Sequence, residues 1–289
     1  MRPDRRALVA GGLALAGCGS APPPRPPAAV GRPQRIISLN PCLDVILVRV
    51  ADRSQIAALS HWARDPYGST IADIATTLPH TYGTAEEVIA LRPDLVITSQ
   101  YSSLAIRNAL RRLGIPTHLF GVPETVAESM EQVRTVGALV GHADRGEALV
   151  KQIEAAISAA APAPGSTPPS ALVFMPGGFA SGSGTLMDEM MQRAGLQNAV
   201  TRYGLMRTGN VPLERLIADP PRILLSGEPW PGAPSRAERI MAHPALRRVA
   251  SDMRRAIFPE RLLFCGGPVL IQTAAALKRA REVATSRLA

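Results

Sequence analysis

The chain has 289 residues, 46% of them hydrophobic and 19% charged. That mixture excludes a disordered tail and a fibrous repeat, and the length suits one large domain or two lobes of ordinary size. The net charge is +9, and all but Lys151 and Lys278 of the 32 basic residues are arginine. These arginines are scattered, aromatic residues make up only 4%, and no zinc-finger or RNP-like segment occurs, so nucleic acid is not the expected partner.

Arg2, Arg5 and Arg6 precede the apolar run ALVAGGLALAG, and Leu15-Ala16-Gly17-Cys18 follows at once. This is a secretory signal arrangement too short to span a bilayer stably, and it looks like a bacterial lipobox. Residues 1–17 are therefore expected to be a signal peptide and Cys18 the lipidated first residue of an exported, membrane-anchored periplasmic protein. Residues 18–34, rich in Pro and Ala, read as a flexible tether with PPII character. Loss of residues 1–17 removes three arginines and one aspartate and leaves +7, so the basicity belongs to the folded body.

From Arg35 onward strands alternate with helices. IISL after Arg35 reads as a buried strand, Pro41 as a turn, DVILVRVA as a helix, and Ile56-AALS as a second strand. His61-WARDPYGST is a polar and aromatic loop at the end of a strand, where an α/β fold exposes its ligand crevice. Thr84 is placed to cap the helix AEEVIAL, which Arg92-Pro93 closes before the strand LVIT; Tyr101 follows in a loop. Helix 104–113 and strand Thr117-HLF complete an α/β lobe over residues 35–122 with a mainly parallel sheet.

Residues 124–160 carry helical periodicity almost without a break, with Gly137, Gly141 and Gly146 as weak points. One helix of that length, or a kinked pair, would span on the order of 50 Å and could join two lobes. This connection is assigned to residues 123–161. A second α/β lobe, residues 162–289, contains strand Ala171-LVFM, helices at 186–194 and 213–218, strand Arg222-ILLS, a helix near 236–241, strand Leu262-LF and a helix at 270–284.

EEVIALRPDLVI in the first lobe and ERLIADPPRILL in the second share one order of acidic residue, apolar turn, proline and buried strand. Glu86 lies seven residues before Pro93, and Glu214 seven before Pro221. Any β/α protein repeats helix and strand, and acidic first turns suit the helix dipole, so the repeat alone leaves its meaning open.

The segments RIISLNPCLDVIL, EEVIALRPDLVITS, the mid-chain helix, SGSGTLMDEMMQRAGLQNAV, LERLIADPPRILL and HPALRRV together resemble the periplasmic binding proteins that deliver ferric siderophores, haem or cobalamin to ABC transporters. The resemblance spans about residues 33–285. It implies two Rossmann-like α/β lobes joined by one long, rigid helix, with the ligand in the cleft between them. It further implies that Glu86 and Glu214 meet arginines of a permease dimer, and that the protein works as a monomer. Asn40-Pro41-Cys42-Leu43-Asp44 departs from the family pattern, in which Ser or Thr is commoner after the first strand.

Aromatic side chains give a flat chelate large contact area at small entropy cost. Trp62, Tyr67, Tyr101, Phe179 and Trp230 stand in loops of the right kind. Arg64 is a candidate bidentate partner for a propionate, a phosphate or a charged chelate. His61 could ligate iron axially or simply be hydrogen-bonded. These residue types place a ferric siderophore first among ligands, then cobalamin, then haem. The histidines show no HxH or HxxxH spacing and no acidic cluster beside them, so no preformed metal site is expected, and the metal should arrive already chelated.

Two other classes remain as alternatives. The Gly- and Ser-rich stretch at Gly177 lacks the lysine of a phosphate loop and reads as a β/α turn, no GxSxG elbow occurs, and Cys42 with His61 and Asp65 is a weak nucleophile set, so a hydrolase-like enzyme is not favoured. A purely structural envelope lipoprotein would bind nothing. Cys42 and Cys265 could pair in an oxidising compartment and would then pin the lobes together; the expected state is two separate, partly buried thiols.

Overall fold

A computed structural model of the chain describes residues 31–175, 178–227, 244 and 253–285. Cys18, Trp230, the helix expected near 236–241 and most of HPALRRV lie outside the described residues. In the N-terminal lobe, β1 (Ile36–Ser38), β2 (Ile56–Ser60), β3 (His80–Thr81), β4 (Leu95–Ser99) and β5 (Thr117–Phe120) form a sheet in the order β3-β2-β1-β4-β5. All its pairings are parallel. The helices between them are α1 (Pro41–Val50), α2 (Ala72–Ala75), α3 (Ala85–Ala90) and α4 (Leu104–Arg112).

The C-terminal lobe pairs β6 (Ser170–Val173), β8 (Gln197–Asn198), β10 (Ile223–Ser226) and β11 (Arg254–Ile257) in the order β11-β10-β6-β8, again in parallel. A separate antiparallel ribbon joins β7 (Phe179–Ala180) to β9 (Gly209–Asn210). Its helices are α7 (Leu186–Arg193), α8 (Leu213–Ala218) and α9 (Val269–Thr285).

Each central strand is apolar on both faces, as a sheet covered on both sides requires. Ile36 of β1 and Leu95 and Ile97 of β4 face one cluster, while Ile37 and Val96 face another. In the second lobe Ala171, Val173, Ile223 and Leu225 face the same first cluster, and Leu172 and Leu224 turn away from it. A single apolar core therefore runs from one sheet to the other.

What fills the space between the sheets is α5 (Val126–Leu139) and α6 (Ala143–Ala160). The sequence led us to expect one long connecting helix over 123–161, or a kinked pair; the chain forms two helices that fold back as a hairpin at the glycine weak points. Gly141 adopts φ +80, which reverses the chain at no steric cost. A Cβ at Gly137 would stand 3.0 Å from the Cα of Gly146, so the two helices close on paired glycines. Both helices run between the lobes: α5 starts beside Glu189 and Gly267 of the second lobe and ends beside Gln55 of the first, and α6 returns over about 27 Å. Arg145 at its start pairs with Asp52 at 2.8 Å and donates to the Val50 carbonyl. At its end, Arg281 of α9 donates to the Ala160 carbonyl at 2.8 Å.

Packing of the folded unit begins before Arg35. The Pro33 carbonyl accepts from Gln55 Nε2 at 2.7 Å, and the backbone N–H groups of Gln34 and Arg35 donate to the Asp94 carboxylate. The stretch Leu262-LF, expected as a strand, is a 3₁₀ turn (Glu260–Leu262) and a loop. The last strand is β11, whose two arginines and half-wet face mark a sheet edge and hide its strand character in the sequence.

The cysteines also depart from expectation. Cys42, in the first turn of α1, and Cys265, in the loop before α9, form a disulfide across 223 residues with Cα atoms 5.0 Å apart. The two lobes bring both residues to the same point beside the hairpin, and a crosslink of this kind contributes on the order of 2–4 kcal/mol.

Ile153 of α6 is fully buried in the shared core. Ile153→Ala should cost about 2–5 kcal/mol. Urea unfolding followed by circular dichroism and by tryptophan fluorescence should show one transition displaced as a whole; two separated transitions would mean that the lobes do not share their core energetically.

Candidate functional site

Parallel strands end on one rim, and the loops that leave that rim can converge on a ligand. Asn40 follows β1 and caps α1, its Oδ1 accepting from the N–H groups of Cys42 and Leu43 at 2.9 and 3.3 Å. Between the lobes lies a recess of about 350 Å³. Asn40, Ser99, Phe120 and Val122 line it from the first lobe, Gln132 from the hairpin, and Phe264 from the second lobe. No charged side chain lines this recess among the described residues.

The loop after β2 makes a 3₁₀ turn, His61–Arg64, that carries Trp62 into solvent at 57% exposure. The His61 ring lies 4.4 Å from Trp62 and stacks on Tyr82 at 4.7 Å and 28°, and the ring of His80 meets Tyr82 edge-on at 5.7 Å. Tyr82 is 67% exposed and Tyr101 75%. In the second lobe Phe264, 58% exposed, lies 6.2 Å from Phe179.

The structure thus brings Trp62 together with His61 and places Phe179 beside the recess. Tyr67 is half-buried, its backbone N–H bonded to Asp65 Oδ1. Arg64 is turned inward, donating to the carbonyls of Ala75 at 3.2 Å and Leu78 at 2.7 Å, where it closes the end of α2. Tyr82 and Phe264 were not read from the sequence. The two-residue β3 gives Tyr82 no strand signal, and the run Leu262-Leu263-Phe264 mimics a strand.

Glu86 and Glu214 are exposed and equivalent. Each is the second residue of a six-residue helix, α3 and α8. Each helix leads to the strand beside the first strand of its lobe, β4 beside β1 and β10 beside β6. Neighbouring Glu87 has a different task. Its carboxylate accepts from the Thr81 hydroxyl at 2.6 Å and the Tyr82 N–H at 2.7 Å, fixing the backbone that carries Tyr82. The Thr81 hydrogen bond, with those from the backbone, holds its pKa below the ordinary value.

Asp44 of α1 is wholly buried beneath this rim. Burial raises its pKa to about 7, against hydrogen bonds from Ser38 and Ser60 that favour the charged form; Ser60 Oγ donates to it at 2.5 Å.

The Gly- and Ser-rich stretch builds a β/α turn. The Thr185 side chain caps α7, and the Asp188 carboxylate accepts from the Gly184 N–H at 3.0 Å. Cys42 carries no thiol, since its sulfur is in the disulfide. Among the described residues no group of three or more His, Cys, Asp or Glu side chains could hold a metal ion.

Two α/β lobes on a common helical hairpin, with an uncharged recess at the rim between them, define a binding protein that encloses a small ligand. A family model described as periplasmic binding protein matches residues 36–251, and the chain belongs to that family, the non-enzymatic substrate-binding components of ABC importers. A search of curated proteins gives no match. Among solved structures, the chain is similar to a periplasmic haem-binding protein of Pseudomonas aeruginosa, with 24% identity, TM-score 0.68, and 89% of this chain and 95% of that one covered. It is also similar to the periplasmic haem-binding protein RhuT of Roseiflexus, with 22% identity, TM-score 0.66, and coverage of 86% and 99%. The periplasmic vitamin B12-binding protein BtuF of Vibrio cholerae gives 15% identity, TM-score 0.66, and coverage of 89% and 99%. At these identities the likeness is one of fold.

The raised pKa of Asp44 sets a pH dependence. The folded carboxyl keeps its proton up to about pH 7, whereas the unfolded one loses it near 3.8. Stability from this group is therefore greatest below about pH 4 and falls as pH rises to about 7. Relative to Asp44→Asn, the native chain should lose roughly 2–4 kcal/mol across that interval. Denaturant unfolding of both proteins at several pH values measures the difference, and a difference constant with pH would refute the assignment.

Proposed function

We propose that the protein captures a metal chelate with a flat ring system, a haem or a cobalamin, between its lobes and delivers it to an ABC permease dimer. One observation carries the reading: Trp62 and Tyr82 stand exposed against the His61 ring in loops at the strand-end edge, and the recess that opens between the lobes is lined by Phe120 and Phe264 and, among the described residues, by no charged side chain. A flat macrocycle gains most from such faces. Residue types alone favour a ferric siderophore. Arg64, the cation nearest the aromatic cluster in sequence, donates to the carbonyls of Ala75 and Leu78, which supports a flat-ring ligand over a charged chelate. The printed names of similar structures include haem-binding and vitamin B12-binding proteins, which support this ligand class, and an Fe3+-hydroxamate transport protein, which keeps a ferric siderophore as the alternative. The carrier is held at the membrane through lipid on Cys18.

Titration with haemin, cyanocobalamin and a ferric hydroxamate in parallel should give saturable one-to-one quenching of Trp62 by a macrocycle, without turnover. Tyr82→Ala should weaken that binding about tenfold, a loss of about 1.4 kcal/mol. Binding of the hydroxamate alone would overturn the flat-ring reading.

Delivery places Glu86 and Glu214 against cationic side chains of the permease, one carboxylate from each lobe. The double variant Glu86→Ala/Glu214→Ala should keep the ligand affinity of the native chain and lose chelate uptake by cells. Undiminished uptake would remove both residues from docking.

A further inference from the structure

The Cys42–Cys265 disulfide is a lining element of the cleft. Cys42 borders the interlobe recess, and both cysteines are half-exposed, so the sulfurs are within reach of a reagent entering the cleft. The residue before Cys265 is Phe264, the exposed aromatic that the second lobe contributes to the recess. On the other side, Gly266 and Gly267 are wedged into the hairpin. The Gly267 N–H donates to Ser129 Oγ at 2.7 Å, and a Cβ at Gly267 would stand 2.9 Å from Ile46 Cγ1. A Cβ at Gly266 would collide with the Ser129 side chain.

Phe264 thus stands between Leu262 and Leu263, which pack on the core, and the wedged Gly266 and Gly267, and the disulfide at Cys265 is the covalent tie that fixes this stretch to α1 of the opposite lobe. The shared core extends far beyond this link: Ile46, Val133, Ile153 and Leu277 belong to one packed cluster, and Cys265 only borders it. Breaking the disulfide would remove that tie and loosen the recess edge around Phe264 while the packed core keeps both lobes folded, a local opening rather than a global one.

We infer that the Cys42–Cys265 disulfide is a redox-sensitive site that sets ligand affinity by positioning Phe264 in the cleft. The reaction is thiol–disulfide exchange with an extracytoplasmic dithiol. One thiolate of the dithiol attacks a sulfur of the pair, a mixed disulfide forms and the other cysteine leaves as thiolate. The second thiol of the reagent then resolves the mixed disulfide. In balance, two electrons and two protons pass from the dithiol, which becomes a disulfide, to Cys42 and Cys265, which become thiols. Because the recess lies against the sulfurs, a bound ligand covers them, and ligand and reductant oppose one another in both directions, as linkage requires.

The inference rests on the proposed ligand class only for its affinity readout. The full chain carrying Cys18→Ser is compared in oxidised form, after treatment with dithiothreitol, and as Cys42→Ser/Cys265→Ser. Thiol titration should find no free thiol in the native protein and two after reduction, with the far-ultraviolet dichroism unchanged. Hydrogen exchange should quicken at the first turn of α1 and at residues 264–266 while β1 and β6 stay protected, a result independent of any ligand. Haemin affinity should fall about tenfold on reduction, to the level of oxidised Phe264→Ala, and saturating haemin should slow reduction. Two free thiols in the native protein, or unchanged exchange around Phe264, would overturn the redox site itself. If no chelate binds even the oxidised protein, the cargo reading fails and the exchange measurement still decides the redox site. Equal haemin affinity in both redox states would overturn the control of affinity.

Discussion

Everything in this molecule depends on one continuous apolar core that passes through the α5–α6 hairpin. Ile36 and Ile46 from one lobe, Val133, Val136 and Ile153 from the hairpin, and Val173, Leu225 and Leu277 from the other belong to one packed cluster. Protein interiors are close-packed and resist deformation, so the lobes are not free bodies on a flexible strap. The distance between their rims is set by side-chain volume. The paired glycines at 137 and 146 matter for the same reason, since they let the backbones of α5 and α6 approach closely at the turn end of the hairpin.

That constraint places the chemistry. Parallel strands bring the loops after β1, β2, β3, β4 and β5 to one edge, and the turn at the start of α1 brings Cys42 to the second lobe at that edge. The rim then divides its tasks among neighbours in sequence. Glu87 holds the backbone of Tyr82 while Glu86 stays in solvent, and Arg64 secures α2 while Trp62 stays exposed. Among the described residues the recess is left without a charged lining side chain.

The sequence made the lobes legible because their punctuation is local. Thr84 caps α3 as its residue type predicts, Pro93 and Pro221 stand two residues before β4 and β10, and Glu86 and Glu214 fall at the same offset from those strands. What stayed hidden depends on residues distant in the chain. The hairpin turns on Gly141, which periodicity reads only as a weak point in a longer helix. The inward turn of Arg64 depends on the carbonyls of Ala75 and Leu78, and a helix of four residues carries too little pattern to announce them. The disulfide joins positions 223 residues apart, and no local signal distinguishes two paired cysteines from two free ones.

A shared core also has a temporal consequence. In a carrier with a free hinge, cargo leaves when the lobes swing apart, and the residence time records the frequency of that swing. Here any wide swing would tear Ile153 and its neighbours from their packing, so spontaneous opening is rare and the clock is set by the contacts at the rim. Unloading then becomes work done from outside, by whatever grips the two lobes and prises them apart.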